Sequence, residues 1–296
     1  MSTFRSGFVS FVGRPNVGKS TLTNALVGEK VAITSAKPQT TRRAIRGIVN
    51  RDSGQLILVD TPGLHRPRTL LGERLNDLVE TTLGDMDVIG FCIPANERLG
   101  PGDAFINEQL SKYRRTKLVA IVTKCETVSR DRLAEQLQAV SELREWNAVI
   151  PVSAVSGEQV AELAELLIGY LPESEALYPQ DMTTDESLEQ RICELVREAA
   201  LEGVHDELPH SIAVTIDEMG EREGGNMFDI HANVWVERDS QKGIIIGKGG
   251  ARLKDVGSKS RKEIEQLLGR KVFLSLRVKV SADWQRDPKA LGRLGF

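Results

Sequence analysis

Gly13 to Ser20 reads Gly-Arg-Pro-Asn-Val-Gly-Lys-Ser, two glycines separated by four residues and followed by Lys and Ser. That spacing is what a phosphate-cradling loop requires. Gly13 and Gly18 let backbone N–H groups approach phosphate oxygens without a side chain in the way. Lys19 would reach the β- and γ-phosphates and the Ser20 hydroxyl would ligate Mg²⁺, with Asn16, Val17 and Thr21 completing the nucleotide-holding stretch. A carboxylate is needed on the metal side, and Asp60 in Asp60-Thr61-Pro62-Gly63 is the candidate. The Gly63 N–H can meet the γ-phosphate, although Asp-Thr-Pro-Gly taken alone is also an ordinary turn. Thr41 is the expected switch threonine on Mg²⁺, with adjacent Thr40 not excluded. Lys19, Thr41 and Gly63 are thus the catalytic candidates of a nucleoside triphosphate site. Leu64 cannot orient an attacking water and no catalytic arginine presents itself, so slow intrinsic turnover is expected. Asn16 either helps hold a monovalent cation such as K⁺ or only shapes the turn.

These groups need strand ends and helix starts to hold them. Phe8 to Val12 reads as a buried strand and Thr21 to Val27 as the following helix, which adds its partial positive charge to the loop. Further strands are expected at 44–49, 55–59, 87–93, 117–122 and 148–152. Helical character runs over 103–113, 130–146 and 160–171. Strands alternating with helices predict an α/β domain, a mostly parallel sheet covered on both faces, over residues 1–172. The polar stretch 173–184 contains Pro179 and reads as a linker, and 185–296 as a second, smaller α+β domain.

In that second part a helix from Leu188 and strands at 211–216 and 229–236 precede Ile244-Ile245-Ile246-Gly247-Lys248-Gly249-Gly250. A helix over 254–268 and a strand over 271–280 follow. Glycines between two helical segments allow a sugar-phosphate chain to pass over bare backbone, while Lys248, Arg252 and Lys254 supply charge and the three isoleucines an apolar floor. Charge agrees with a polyanion partner: residues 240–296 carry 14 Lys or Arg against 5 Asp or Glu, within a chain whose net charge is −3. A solvated basic face without a partner is the bland alternative.

Composition narrows the classes. The chain of 296 residues is 40% apolar and 27% charged, ordinary for a globular protein of about two domains. Cys92, Cys125 and Cys193 lie far apart, which argues against zinc and disulfides and for a reducing, cytoplasmic compartment. No apolar run approaches a membrane span, and nothing before the first strand resembles a signal peptide. The four histidines, His65, His205, His210 and His231, have no ligand spacing.

Several motifs carry resemblances. Thr123-Lys124-Cys125-Glu126 sits where guanine-nucleotide-binding domains carry Asn-Lys-x-Asp, and Ser153-Ala154 where a backbone N–H meets guanine O6. The resemblance implies that Glu126 accepts from guanine N1 and N2 and that the Lys124 stem covers the ring. Thr for Asn and Glu for Asp are departures; guanine preference is expected to survive, weakened by ~1–2 kcal/mol for the one imperfect charged hydrogen-bond pair that the longer Glu126 makes. Ile246 to Gly250 resembles the G-x-x-G loop of the KH RNA-binding module in its second topology. The two together, with Pro38-Gln39-Thr40-Thr41-Arg42 and the ending Trp284 to Phe296, resemble the Era family of GTPases over nearly the whole chain. That resemblance implies a GTP/GDP- and Mg²⁺-dependent factor, a monomer, acting in small (30S) subunit assembly. Its KH module would bind near the 3′ end of 16S rRNA, with peripheral association at the inner membrane face. Two other classes stay open: a module in which GTP is structural, and a GTPase whose basic domain serves membrane association or another RNA.

Overall fold

The computed structural model describes residues 4–34, 45–61, 69–204, 208–225 and 227–294. Thr40, Thr41, Gly63, Leu64, His65 and His205 lie outside these ranges. Contacts divide the chain into two units, residues 1–66 with 74–185, and residues 186–296 with 67–73.

In the first unit, β1 (Arg5–Val12) leads into α1 (Lys19–Val27), followed by β2 (Ile45–Arg51), β3 (Gly54–Asp60) and α2 (Leu70–Gly84). Then come β4 (Val88–Pro94), α3 (Pro101–Leu110), β5 (Lys117–Thr123), α4 (Arg130–Ser141), β6 (Ala148–Val152) and α5 (Val160–Tyr170). The six strands form one sheet in the order β2-β3-β1-β4-β5-β6, parallel except for antiparallel β2 against β3. β3 and β4 are buried along their whole length, as expected of central strands covered on both faces. Val9, Phe11, Leu56 and Leu58 pack with Leu22 and Leu26 of α1 and Leu163 and Leu167 of α5 on one face. On the other, Ile57, Ile89 and Phe91 pack with Val79 of α2, Ile106 of α3 and Val140 of α4.

The helix expected over 130–146 ends at Ser141. The indole of Trp146 folds back and donates to the Val140 carbonyl at 2.9 Å, which satisfies the helix end and makes the last residues a turn. α2 is an element the periodicity argument did not single out, with Val79 and Leu83 buried on one side of a mostly polar helix.

The linker stretch is bound to the first unit along the open edge of β2. Ile48 N–H donates to the Thr183 carbonyl at 2.8 Å, Thr183 Oγ1 donates to Glu29 at 2.7 Å, and Arg46 pairs with Asp185 at 2.8 Å. Ser6 Oγ donates to the Glu175 carbonyl. At the centre sits Gln55, fully buried. Its amide oxygen accepts from the N–H groups of Leu177 and Tyr178, and its Nε2 donates to the Tyr178 carbonyl and to Asn50. The strap thereby protects a sheet edge that would otherwise offer unpaired backbone. Gln55→Ala should lower the unfolding free energy in urea by about 3 kcal/mol, because the four hydrogen bonds of this buried amide, to Leu177, Tyr178 and Asn50, are lost together. A loss below about 1 kcal/mol would mean the strap rests on its other bonds.

The second unit contains α6 (Leu188–Leu201), β7 (Ala213–Glu221), β8 (Phe228–Val236), α7 (Asp239–Ile246), α8 (Ala251–Leu268), β9 (Val272–Val280) and α9 (Pro288–Leu294). β7 and β8 are antiparallel, and β8 and β9 parallel. Ile230, Ala232, Val234 and Val236 of β8 are buried at every second position, and Val256 and Ile264 of α8 and Val196 of α6 are buried as well. Trp284 is buried and donates to the Ser211 carbonyl at 3.1 Å. Gln285 bonds to Glu237 and Ser211, so the segment after β9 is part of the fold.

Candidate functional site: a nucleotide loop and a glycine clamp

Between the end of β1 and the start of α1, residues 13–18 form a loop above the sheet. A Cβ on Gly13 would lie 2.6 Å from the Cys92 carbonyl, so no larger residue fits there. Gly18 takes φ 100° as the N-cap of α1, and Asn16 takes φ 63°, a left-handed conformation that Asn tolerates better than most residues. Lys19 Nζ donates to the Gly13 and Arg14 carbonyls, both at 3.0 Å. Burial lowers the Lys19 pKa, against the opposing pull of Asp60. A desolvated ammonium held only by carbonyls at a helix N-terminus is a position that favours an anion. Burial likewise pushes the neighbouring Cys92 thiol up to about 12, so it stays neutral.

Ser20 Oγ donates to Asp60 Oδ2 at 2.9 Å, and Asp60 is 1% exposed at the end of β3. Thr61 beside it is also buried, its hydroxyl without a partner among the described residues. A hydroxyl and a carboxylate converging at the loop form a hard-oxygen donor set that suits Mg²⁺. Thr41 and Gly63, the other catalytic candidates, fall outside the described residues.

The segment expected to read the base begins at Thr123, the last residue of β5. Thr123 Oγ1 donates to the Val17 carbonyl at 2.6 Å, and Lys124, with φ 59°, donates from Nζ to the Asn16 carbonyl at 2.7 Å. The Thr-for-Asn departure therefore has a physical account: the hydroxyl ties the base segment to the phosphate loop. Cys125 is buried with Sγ 3.8 Å from Glu158, and Glu126 is exposed. Ser153 is buried after β6. Its hydroxyl accepts from Ser156 N–H at 3.0 Å and its carbonyl from Gly157 N–H at 3.0 Å, a turn that begins at Ala154. Thr123→Val should raise the Kd for GTP about tenfold, since the buried Val17 carbonyl loses its donor, while Thr123→Asn stays near wild type. Equal affinity of the Val variant in equilibrium binding would deny the tether its role.

In the second unit, α7 ends at Ile246 and α8 begins at Ala251, with Gly247, Gly249 and Gly250 at φ 72°, 59° and 80°. A Cβ on Gly247 would lie 2.7 Å from Arg252 Cβ, whereas one on Gly249 or Gly250 would meet nothing within 4 Å. Gly247 is thus demanded by packing, whereas Gly249 and Gly250 are favoured by their left-handed φ alone and leave open space above the loop. Lys248 and Lys254 are exposed beside it, and the first turn of α8 holds no acidic residue. A groove of about 420 Å³ adjoins the loop, lined by Gly250, Leu253, Lys254, Gly257, Ser258, Arg261, Leu274 and Leu276.

Two expectations at this loop need correction. The three isoleucines do not form a common floor: Ile245 is buried in the core, Ile244 is 51% exposed and Ile246 lies between, because successive helix residues point about 100° apart. The apolar floor beside the loop is instead Leu253, Leu274 and Leu276. The spacing of Leu253, Gly257 and Arg261 along one helical face is the signal in the sequence that could have revealed it. Arg252 is engaged structurally: its guanidinium donates to the carbonyls of Ala200, Glu202 and Gly203 at 3.2, 2.6 and 3.4 Å, closing the C-terminal end of α6. Arg261, exposed and lining the groove, is the cation that sequence reasoning missed.

A phosphate loop on a mostly parallel sheet, joined in one chain to an α-β-β-α-α-β unit with a G-x-x-G turn, defines a P-loop GTPase with a KH domain. Family profiles agree, one described as a 50S ribosome-binding GTPase matching residues 8–124 and one as a KH domain matching residues 207–285. GTPase Era of Mycobacterium sp. (strain KMS) is 65% identical over 299 residues, covering 100% of both chains. GTPase Era of Streptomyces coelicolor is 63% identical over 301 residues, covering 99% of this chain and 95% of that one. A crystal structure of Era in complex with MgGDPNP and nucleotides 1506–1542 of 16S ribosomal RNA superposes with a TM-score of 0.94 at 38% identity, covering 99% of each chain. A variant Era from Aquifex aeolicus bound to GDP·AlF4⁻ gives the same values. The chain belongs to the Era family of GTPases.

Proposed function

We propose that this GTPase binds the 3′ region of 16S rRNA through its KH unit and uses GTP hydrolysis to time that grip during small-subunit (30S) assembly. The nucleotide end of this reading follows from the residues. Lys19 leaves the Gly13 and Arg14 carbonyls for the β- and γ-phosphates, while the backbone N–H groups from Asn16 to Thr21 surround them. Ser20 and Asp60, with Thr41, would hold Mg²⁺, which neutralises charge developing on the phosphate oxygens when bound. Glu126 accepts from the guanine N1 and N2 donors, Lys124 covers the ring, and the Ser153-Ala154 turn meets O6. Gly63 offers its N–H to the γ-phosphate. With no water-orienting side chain assigned, intrinsic hydrolysis is slow. Asn16, in the loop at φ 63°, is a candidate to hold K⁺ against the phosphates. Equal rates in K⁺ and Na⁺ would remove that role.

The observation that carries the RNA reading is the open glycine turn beside a groove of about 420 Å³ with an apolar floor and cationic edge. Lys248, Lys254 and Arg261 favour the phosphates, and Leu253, Leu274 and Leu276 suit unstacked bases. An anionic lipid surface would meet the same cations, so it is an arm of the test; among the described residues no helix is long and apolar enough to cross a membrane. Fluorescence anisotropy with a 3′-terminal 16S rRNA fragment should show binding that weakens with added salt. Equal affinity for a scrambled RNA of the same length, or for anionic vesicles alone, would contradict it.

A further inference from the structure

Arg14 lies inside the phosphate loop, yet its side chain is committed to the start of α3. Its Nε donates to Asp103 Oδ1 at 2.8 Å, and Nη2 stands 2.9 Å from Glu97 Oε2. Asp103 is 1% exposed, and its second oxygen accepts the Gly100 N–H at 2.9 Å. A Cβ on Gly102 would lie 2.7 Å from Arg14 Cδ, so the arginine stem runs through the space this glycine leaves. Pro101 opens α3 at a position that has no helical partner for an N–H. Gly100-Pro101-Gly102-Asp103 is therefore a socket shaped around one side chain of the phosphate loop. The same residue's carbonyl, with that of Gly13, receives Lys19 Nζ at 3.0 Å.

We propose that Arg14 and Asp103 are positioning residues of the GTPase reaction, an ion pair between a half-buried guanidinium and a buried carboxylate that holds the phosphate loop in the shape that receives the triphosphate. Neither touches nucleotide in this reading, which rests on the assignment of residues 13–20 as the phosphate site. Both act through the backbone at 13–14. A loop ordered by the fold does not lose that freedom again on binding, so preorganisation appears as affinity. Removing Arg14 leaves the buried Asp103 carboxylate without its cation, so the two positions are coupled. Glu97 contributes less, because its side chain is 45% exposed and the interaction is screened.

The test uses the full chain and a fluorescent GTP analogue, with Arg14→Ala, Asp103→Asn, their double variant and Gly102→Ala. The last keeps both charges and only pushes a methyl into the arginine stem, so it reads the proposal even where a charge variant fails to fold. Each single variant should weaken GTP binding by about tenfold, while kcat at saturating GTP stays within about twofold of wild type. The double variant should bind no worse than the weaker single. Lowered thermal stability with unchanged GTP affinity would make the pair merely structural and overturn the proposal. Strictly additive losses, or wild-type affinity in Gly102→Ala, would do the same. Lys19→Ala serves as the control: if it binds GTP as wild type does, the assignment of the site has failed, not the socket alone.

Discussion

Lys19→Ala should reduce GTP hydrolysis by about 10²–10³-fold, the scale of removing one preorganised donor from a phosphoryl-transfer site. The ammonium is held at the N-terminus of α1 by the Gly13 and Arg14 carbonyls, so a movement of this side chain away from them presents it to phosphate. Its burial makes the unliganded state costly and the anion-bound state correspondingly favoured. Truncation should also leave the fold intact, because among the described residues the Lys19 ammonium bonds to the Gly13 and Arg14 carbonyls of the loop itself. Single-turnover hydrolysis of labelled GTP, alongside circular dichroism, checks both parts. A variant that hydrolyses at the wild-type rate would place the chemistry elsewhere in the chain.

Gly249→Asp should weaken binding of a 3′-terminal 16S rRNA fragment by about 10²-fold, with GTP affinity unchanged. The position has φ 59°, a strained conformation that Asp tolerates better than most residues, and an added Cβ meets nothing within 4 Å. The substitution therefore introduces a carboxylate without disturbing the packing of α7 or α8. That carboxylate would stand where the sugar-phosphate chain approaches, between Lys248 and Lys254, and both repels phosphate and neutralises a neighbouring cation. Gly247 is the wrong position for the same test. A side chain there collides with Arg252, so loss of binding would report a disrupted α6 end instead of a blocked RNA path. Unchanged RNA affinity for Gly249→Asp would remove the glycine turn from the interface.

The phosphate loop, the strand ends at Asp60 and Thr123, and the helix–turn–helix around Gly247 were all legible in the sequence, because each depends on local spacing. Periodicity placed the sheet strands within a few residues for the same reason. What escaped depended on partners distant in the chain. Nothing near Arg252 indicates that its guanidinium closes a helix about 50 residues earlier, since the cation type suits RNA equally well. The polar, proline-containing stretch after Pro172 reads as a linker because its partner, Gln55, lies more than 120 residues away in β3. Ile244 to Ile246 were grouped by composition, where helical geometry separates them. Thr123 departs from the Asn of the motif, and its bond to the Val17 carbonyl, made across more than 100 residues, is not visible in local spacing. Arg14 was visible as a loop residue, but its socket needs Gly102 and Asp103 brought beside it by β4 and α3.

Steady-state release of phosphate from GTP by the purified protein, with and without a 3′-terminal 16S rRNA fragment, tests the link between the two units most directly. The fragment should accelerate hydrolysis severalfold, the Gly249→Asp variant should keep the basal rate and lose the acceleration, and ATP should not replace GTP. Identical rates with and without RNA, in protein that binds both ligands, would contradict the account.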